Sequence, residues 1–467
     1  MFTYKRHQPE DTLLFKLIKE YYPLFENHLN EKGRTLPIHV KDEFEAYLKC
    51  GLLEYGFLRV KCCNCSHERL VAFSCKRRGF CPSCCAKRMI ESAALLIDNI
   101  LPYQPMRQWV LSFPYPLRFL FASHPQVLSK VLGIVYRAIS ACLIKKAGLT
   151  KKKAKTGAVT LIQRFGSALN LNIHFHMLFL DGVYITNDKT DPIFVPIGKL
   201  EVKDIANVVS KISLRIAAYL SRAGLIERDA DNTYLALDRD NVNEDQVHSI
   251  QYRIAIGPNK GKKIFTLQTL PPRYEEQSRS ELVSNIGGFS LHAGVAISAY
   301  QRAKLENLCR YITRPPVSTE RLTLTPQGNV RYELKNPYHD GTTHAIFSPL
   351  DFISKLAALI PAPRIHLSRY HGIFASHAKN RDQFINQQNK TELTDNRTEK
   401  EKVACMRWAM RLKRAFNIDV TLCEACGGQA KVIASIEDPA VIEKILKSIK
   451  HTSYNQILLP ICRAPPA

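Results

Sequence analysis

Residues 170–182 read Asn-Leu-Asn-Ile-His-Phe-His-Met-Leu-Phe-Leu-Asp-Gly. The two-residue period of a strand puts Leu171, Ile173, Phe175, Met177 and Phe179 on one face, and Asn170, Asn172, His174 and His176 on the other. The apolar face calls for burial. The second face presents two imidazoles side by side, about 7 Å apart along the strand. Neutral imidazole is the commonest protein metal ligand. A bare His-x-His pair is more often the wet face of an amphipathic strand, so the rest of the chain has to decide.

Residues 158–165 read as the preceding strand, with Gly166, Ser167 and Ala168 as a hairpin connection. A turn centred near residue 168 sets position 163 opposite 173, within one residue of His174. The amide oxygen of Gln163 could then complete a three-ligand site open to substrate. Such a set, without thiolate, suits Mg²⁺ or Mn²⁺ bound jointly with a phosphate better than structural zinc. Its natural use is Lewis-acid polarisation of a phosphodiester. The best candidate nucleophile is Tyr311, in Leu-Cys-Arg-Tyr-Ile-Thr-Arg-Pro-Pro at 308–316, in the last turn of a helix that Pro315 and Pro316 must end. Arg310 and Arg314 flank it and could hold phosphates. A free phenol ionises only near about pH 10, so metal and guanidinium charge would have to favour its anion. By spacing alone, a tyrosine here is more often packing or surface.

The 467 residues exceed one hydrophobic core and should divide into several domains. Lys and Arg number 66 against 42 Asp and Glu, a net charge of +24. That excess favours a polyanion, with nucleic acid the leading candidate. No run of 18 apolar residues appears, and the first residues lack the apolar core of a signal peptide. A cytoplasmic, nucleoid-associated protein without a membrane partner is expected. Fourteen cysteines in a reducing compartment read better as metal ligands than as disulfides.

Cys62-x2-Cys65 and Cys81-x2-Cys84 lie 15 residues apart, a zinc-ribbon spacing that predicts one tetrahedral Zn²⁺ site. Cys50, Cys75 and His67 are close enough to be substitute or second-site ligands. Cys423-x2-Cys426-Gly-Gly supplies half of another zinc site, with His451, Cys462 or nothing as partner. Such a closed site would hold Arg77, Arg78 and their basic neighbours rigid for phosphate contacts. Lys151, Lys152 and Lys153 form a basic loop before the first strand of the hairpin, placed to touch DNA. Residues 364–372 (Arg-Ile-His-Leu-Ser-Arg-Tyr-His-Gly) read equally as a DNA or active-site element and as a hydrogen-bonded turn.

Around these motifs, 11–50 look helical, and helices are expected near 203–224, 294–312 and 349–359. Strand-like runs fall at 107–114, 245–270 and 320–346. Residues 386–402 are polar enough to be a linker. The resulting division is 1–104, helical and zinc-binding; 105–385, catalytic; 386–402, linker; and 403–467, a small tail module with its own cysteine knuckle.

Residues 163–184, from Gln163 through the two histidines to Tyr184, resemble the HUH motif region of rolling-circle insertion-sequence transposases, the group that includes common-region elements. Residues 308–315 resemble their nucleophile helix, 62–88 their zinc-binding domain, and 361–375 and the tail knuckle two further blocks. The resemblance implies an α+β fold: an HUH endonuclease core, an antiparallel sheet with helices on one face, plus an N-terminal helical and zinc-ribbon domain and a small C-terminal module. It implies metal binding by His174 and His176, attack by Tyr311 on single-stranded DNA at the element ends, and a 5′-phosphotyrosine intermediate. Well-known members carry two tyrosines at i and i+4. Here Asn307 stands four residues before Tyr311, which marks a single-tyrosine branch, and Tyr300 lies three turns back on the same helix face. A plasmid replication initiator or relaxase would use the same chemistry, and a non-catalytic zinc-ribbon DNA-binding protein would share the cysteines alone.

Overall fold

Thr12 opens the first helix by accepting the Phe15 backbone N–H at 3.2 Å, and the apolar stripe behind it does the rest. The computed structural model describes residues 8–187, 190–228, 233–235, 265–268, 282–338, 340–385 and 421–451. In chain order come α1 (Leu13–Glu31), α2 (Ile38–Lys49), β1 (Phe57–Cys62), β2 (Glu68–Ala72) and α3 (Pro82–Leu95). β3 (Met106–Ser112), α4 (Tyr115–Ser123) and α5 (Pro125–Lys146) lead to the hairpin of β4 (Gly157–Phe165) and β5 (Leu171–Leu180). Then follow α6 (Val202–Arg222), β6 (Val283–Ile286), β7 (Phe289–Ile297), α7 (Arg302–Ile312), α8 (Pro349–Leu359) and β8 (Ser368–Gly372). The tail adds β9 (Ala430–Ile436) and α9 (Pro439–His451).

Six strands make one antiparallel sheet in the order β6-β7-β3-β5-β4-β8. The two-histidine strand lies between β3 and β4. Gln163 pairs with His174 itself, one residue from the expected partner, because the register shifts between Gln163 and Phe165. From the other side Ser112 faces His174 and Val110 faces His176. Gly287 and Gly288, with φ of 56° and 79°, make the tight turn from β6 to β7.

Ile173, Phe175, Met177 and Phe179 are fully buried and pack in one core with Val131 and Val135 of α5 and Ile212 of α6. The second face was expected to be open, with helices on one side only. It is covered as well. Beyond the histidines that face continues as Leu178 and Leu180, joined by Val159 and Leu161 of β4, and these pack with Leu305, Cys309 and Ile312 of α7. Burying each such side chain contributes about 1.5–3 kcal/mol, so water could not be left there. α5 is the one helix among the described residues long and apolar enough to cross a membrane, and Val131, Val135, Ile139 and Leu143 on it are fully buried in the core.

Three other expectations change. The helix expected over 294–312 begins only at Arg302, since Phe289, Leu291 and Ala293 are buried in strand alternation and β7 runs to Ile297. Tyr300 therefore precedes the helix, and it is 83% exposed. The described part of the tail joins the N-terminal sheet: β9 pairs with β1, Cys62 facing Ala430 and Phe57 facing Ile436. Residues 364–372 supply β8, the edge strand beside β4, where His371 bonds Thr160 at 3.0 Å and stacks on Tyr136. The expected strands within 320–346 are present as Leu322–Leu324, Val330–Glu333 and Thr342–Phe347, the last paired with Phe265–Gln268. The linker 386–402 and most of the run at 245–270 lie outside the described residues.

Candidate active site and cysteine clusters

The rings of His174 and His176 turn toward each other, with Nε2 to Nε2 at 3.1 Å. Nδ1 of His174 lies 2.9 Å from the Asn172 carbonyl and donates its hydrogen there, which leaves Nε2 as the lone pair. Nδ1 of His176 lies 2.8 Å from the side-chain amide nitrogen of Gln108, on the neighbouring β3. Burial drives His174 down to about 4, with the Arg314 charge adding to the effect. Burial also holds His176 well below its usual range, reinforced by His174 and Arg314. Both rings are therefore neutral near pH 7.

With Nδ1 of His176 accepting from the Gln108 amide, its Nε2 carries the ring hydrogen and donates it to the Nε2 lone pair of His174 at 3.1 Å. Neighbouring ligands about 2.1 Å from an octahedral Mg²⁺ stand about 3.0 Å from each other. The spacing suits that cation. The amide nitrogen of Gln163 donates to the Ile312 carbonyl at 3.0 Å, leaving its oxygen as the atom available to a metal. That same bond ties β4 to the residue next to Tyr311.

His174, Gln163, Tyr311 and Arg314 line one cleft of about 620 Å³. The phenol of Tyr311, at the C-terminal end of α7, is partly exposed; the Arg314 guanidinium lies 4.2 Å and the Lys335 ammonium 4.3 Å from its ring centre. Asn307 is exposed one turn earlier. α3 packs on α7, and the Thr313 hydroxyl reaches the Met89 carbonyl, so the zinc-type module forms the opposite wall. Lys335, Gln108 and Asn172 escaped sequence reading. The first two come from strands or loops remote in sequence. Asn172 carried a signal, since it shares the histidine face and its buried side-chain oxygen has no partner.

Several expected phosphate-binding cations sit elsewhere. Arg310 is ion-paired with Glu306 at i−4 and turned from the cleft. Arg78 donates to the Ile365 and Ala362 carbonyls at 2.7 and 3.3 Å, joining the cysteine module to the segment before β8. Arg77 is half-exposed beside Asp42, at 3.8 Å. Lys151, Lys152 and Lys153 are exposed, but they lead into the Gly157 end of β4, whereas Gln163 is six residues along the strand, about 20 Å away.

The cysteines regroup. The single quartet expected from Cys62, Cys65, Cys81 and Cys84 does not form. Cys81 and Cys84, at the start of α3, meet Cys50 and Cys75, with Cys50 Sγ 3.7 Å from each and Cys75 to Cys84 at 3.3 Å. Cys62 and Cys65 meet Cys423 and Cys426 instead. The reason is topological: β1 and β2 point the first knuckle toward β9, and α3 carries the second back toward the end of α2. In each group all four sulfurs lie within 4.8 Å of one another. Zn–S bonds of about 2.3 Å in a tetrahedron put sulfurs about 3.8 Å apart, so both groups suit zinc. Cys462 lies outside the described residues.

A buried imidazole pair, an amide and a phenol around one cleft, beside cysteine clusters on a basic chain, define a metal-binding protein that acts on nucleic acid. Residues 157–382 match the family described as "Putative transposase", and residues 17–113 match the transposase zinc-binding domain of the IS91 type. On these matches the chain is a DNA transposase, a DNA-processing enzyme with a Zn²⁺-binding domain. No curated protein and no solved structure matches it.

Proposed function

We propose that this transposase cleaves and rejoins single-stranded DNA at its element ends by rolling-circle chemistry, with Tyr311 as nucleophile. The observation that carries the reading is the shared cleft of Tyr311, His174 and Gln163. The phenol oxygen attacks the phosphodiester phosphorus, the P–O3′ bond breaks, and a 5′-phosphotyrosine forms. The phenol proton ends on the released 3′-OH, so atoms balance and no nucleotide cofactor is needed. A later 3′-OH reverses the step and frees Tyr311.

His174, His176 and Gln163 would hold Mg²⁺ or Mn²⁺, which when bound polarises the phosphoryl oxygens. His174 offers its Nε2 lone pair as it stands, and His176 would do so once its hydrogen moves to Nδ1 and the Gln108 amide turns its oxygen to accept it. The Gln163 bond to Ile312 fixes the end of α7 against β4. Arg314 and Lys335, both against the Tyr311 ring, hold the incoming phosphate. The zinc module, through Cys50, Cys75, Cys81 and Cys84, keeps the far wall rigid, and Arg77 and Lys151–Lys153 contact DNA further out. With Asn307 in place of a second tyrosine four residues before Tyr311, strand transfer either reuses Tyr311 or recruits a second chain.

The test is incubation with end-labelled single-stranded DNA from the element terminus and Mn²⁺. Label retained on denatured protein is expected, and its disappearance when EDTA replaces the metal. Cleavage without any protein-linked label would overturn the phosphotyrosine reading.

A further inference from the structure

We infer that Cys62, Cys65, Cys423 and Cys426 bind a second Zn²⁺ that clamps the C-terminal tail onto the N-terminal sheet. The cysteine module in the cleft wall already has its own complete quartet, so these four are a separate site, half of it far beyond the matched zinc-binding domain. Its two half-sites lie far apart in sequence: the Cys62–Cys426 contact spans 364 residues and the Cys65–Cys423 contact 358, both at 3.5 Å.

Each half is a knuckle already shaped for thiolate. The Asn64 N–H donates to Cys62 Sγ and the Gly428 N–H to Cys426 Sγ, both at 3.4 Å. The two glycines after Cys426 have separate reasons. Gly427 takes φ +70°, and a Cβ on Gly428 would stand 2.7 Å from the Asn64 side chain. The Cys63 N–H donates to the Gln429 carbonyl at 2.8 Å, so the knuckles are also bonded to each other.

Beyond backbone pairing and the Arg69–Glu424 ion pair at 3.5 Å, the tail buries little apolar surface. Cys423 and Ile442 are its only buried apolar residues among those described, and Val432 and Ile433 of β9 are 55% and 49% exposed. A strand with so little apolar burial is marginal on backbone pairing alone. Four thiolates in a closed tetrahedron leave no open coordination position, so the ion would be structural. It would hold the segment at 423–426 to the segment at 62–65.

The experiment is metal analysis of the purified full-length chain and of the Cys423→Ser/Cys426→Ser variant. Two zinc ions per chain are expected in the parent and one in the variant. Replacement with Co²⁺ should give tetrahedral thiolate absorption whose intensity halves in the variant. Far-UV circular dichroism of the variant should lose no more than the signal of β9 and α9, so that loss of one metal is not confused with general unfolding. A variant as metal-rich as the parent would overturn the clamp, as would one zinc in the parent. So would iron in place of the second zinc, or a disulfide among these four cysteines by mass spectrometry of the parent.

Discussion

Two groups of side chains proposed to hold metal border the same cleft, and they are built to opposite ends. Cys50, Cys75, Cys81 and Cys84 form a closed set of four sulfurs with no place for a substrate atom. His174, which lines the cleft, and His176 behind it form an incomplete set: two imidazole nitrogens 3.1 Å apart, Gln163 paired beside His174, and open space beyond. Completeness separates the roles. A closed site adds folding free energy and is silent chemically, while an open one leaves positions for phosphate.

The comparison breaks most visibly if its two halves are removed in turn. Cys81→Ser/Cys84→Ser takes away two of four ligands and the start of α3, which packs on α7. Zinc analysis and thermal melting should show one zinc lost, an early transition in the N-terminal module and complete loss of DNA cleavage. His174→Ala should leave zinc content and melting close to the parent while lowering cleavage by at least about 100-fold, beyond the range for indirect supporters of a metal. If both variants unfold alike, the distinction between structural and catalytic groups fails.

A smaller effect is expected at Gln108, which reaches His176 Nδ1 and so orients the ring. Gln108→Ala should weaken Mn²⁺ binding about 10- to 100-fold by titration calorimetry, with zinc retained. An unchanged Mn²⁺ affinity would show that His176 needs no help from β3.

The pH dependence is subtler. His174 has a folded pKa near 4 against an ordinary 6.5. The folded value is the lower one, so its stabilising contribution is full above about 6.5 and is lost as pH falls toward about 4. Mn²⁺ affinity should therefore persist at pH 5.5, where a solvent-exposed imidazole would be largely protonated. A midpoint near 6.5 would contradict burial as the controlling factor.

Much of the central hairpin was legible, because strand periodicity and a short turn are local signals. They set Gln163 within one residue of His174, and only the register shift before Phe165 was hidden. The helix over the histidine face was missed although Leu178 and Leu180 announced it: reading the strand to its end shows that face turning apolar. The cysteine grouping was not legible. Cys-x2-Cys pairs declare themselves as halves, but which halves meet depends on β9 adding to β1 across nearly the whole chain. Lys335 and Gln108 failed for the same reason, since tertiary proximity leaves no trace in local spacing. Arg310 and Arg314 looked equivalent beside Tyr311. Helical geometry pairs the first with Glu306 and leaves the second on the tyrosine ring.

The central claim is that Tyr311 is the group that takes the DNA. The direct measurement is mass spectrometry of peptides from protein trapped on single-stranded element-end DNA with Mn²⁺, run in parallel on Tyr311→Phe. A nucleotide adduct on the peptide bearing Tyr311, and no covalent adduct at all in Tyr311→Phe, is the expected result. An adduct on another residue, or one that persists undiminished in Tyr311→Phe, would contradict it.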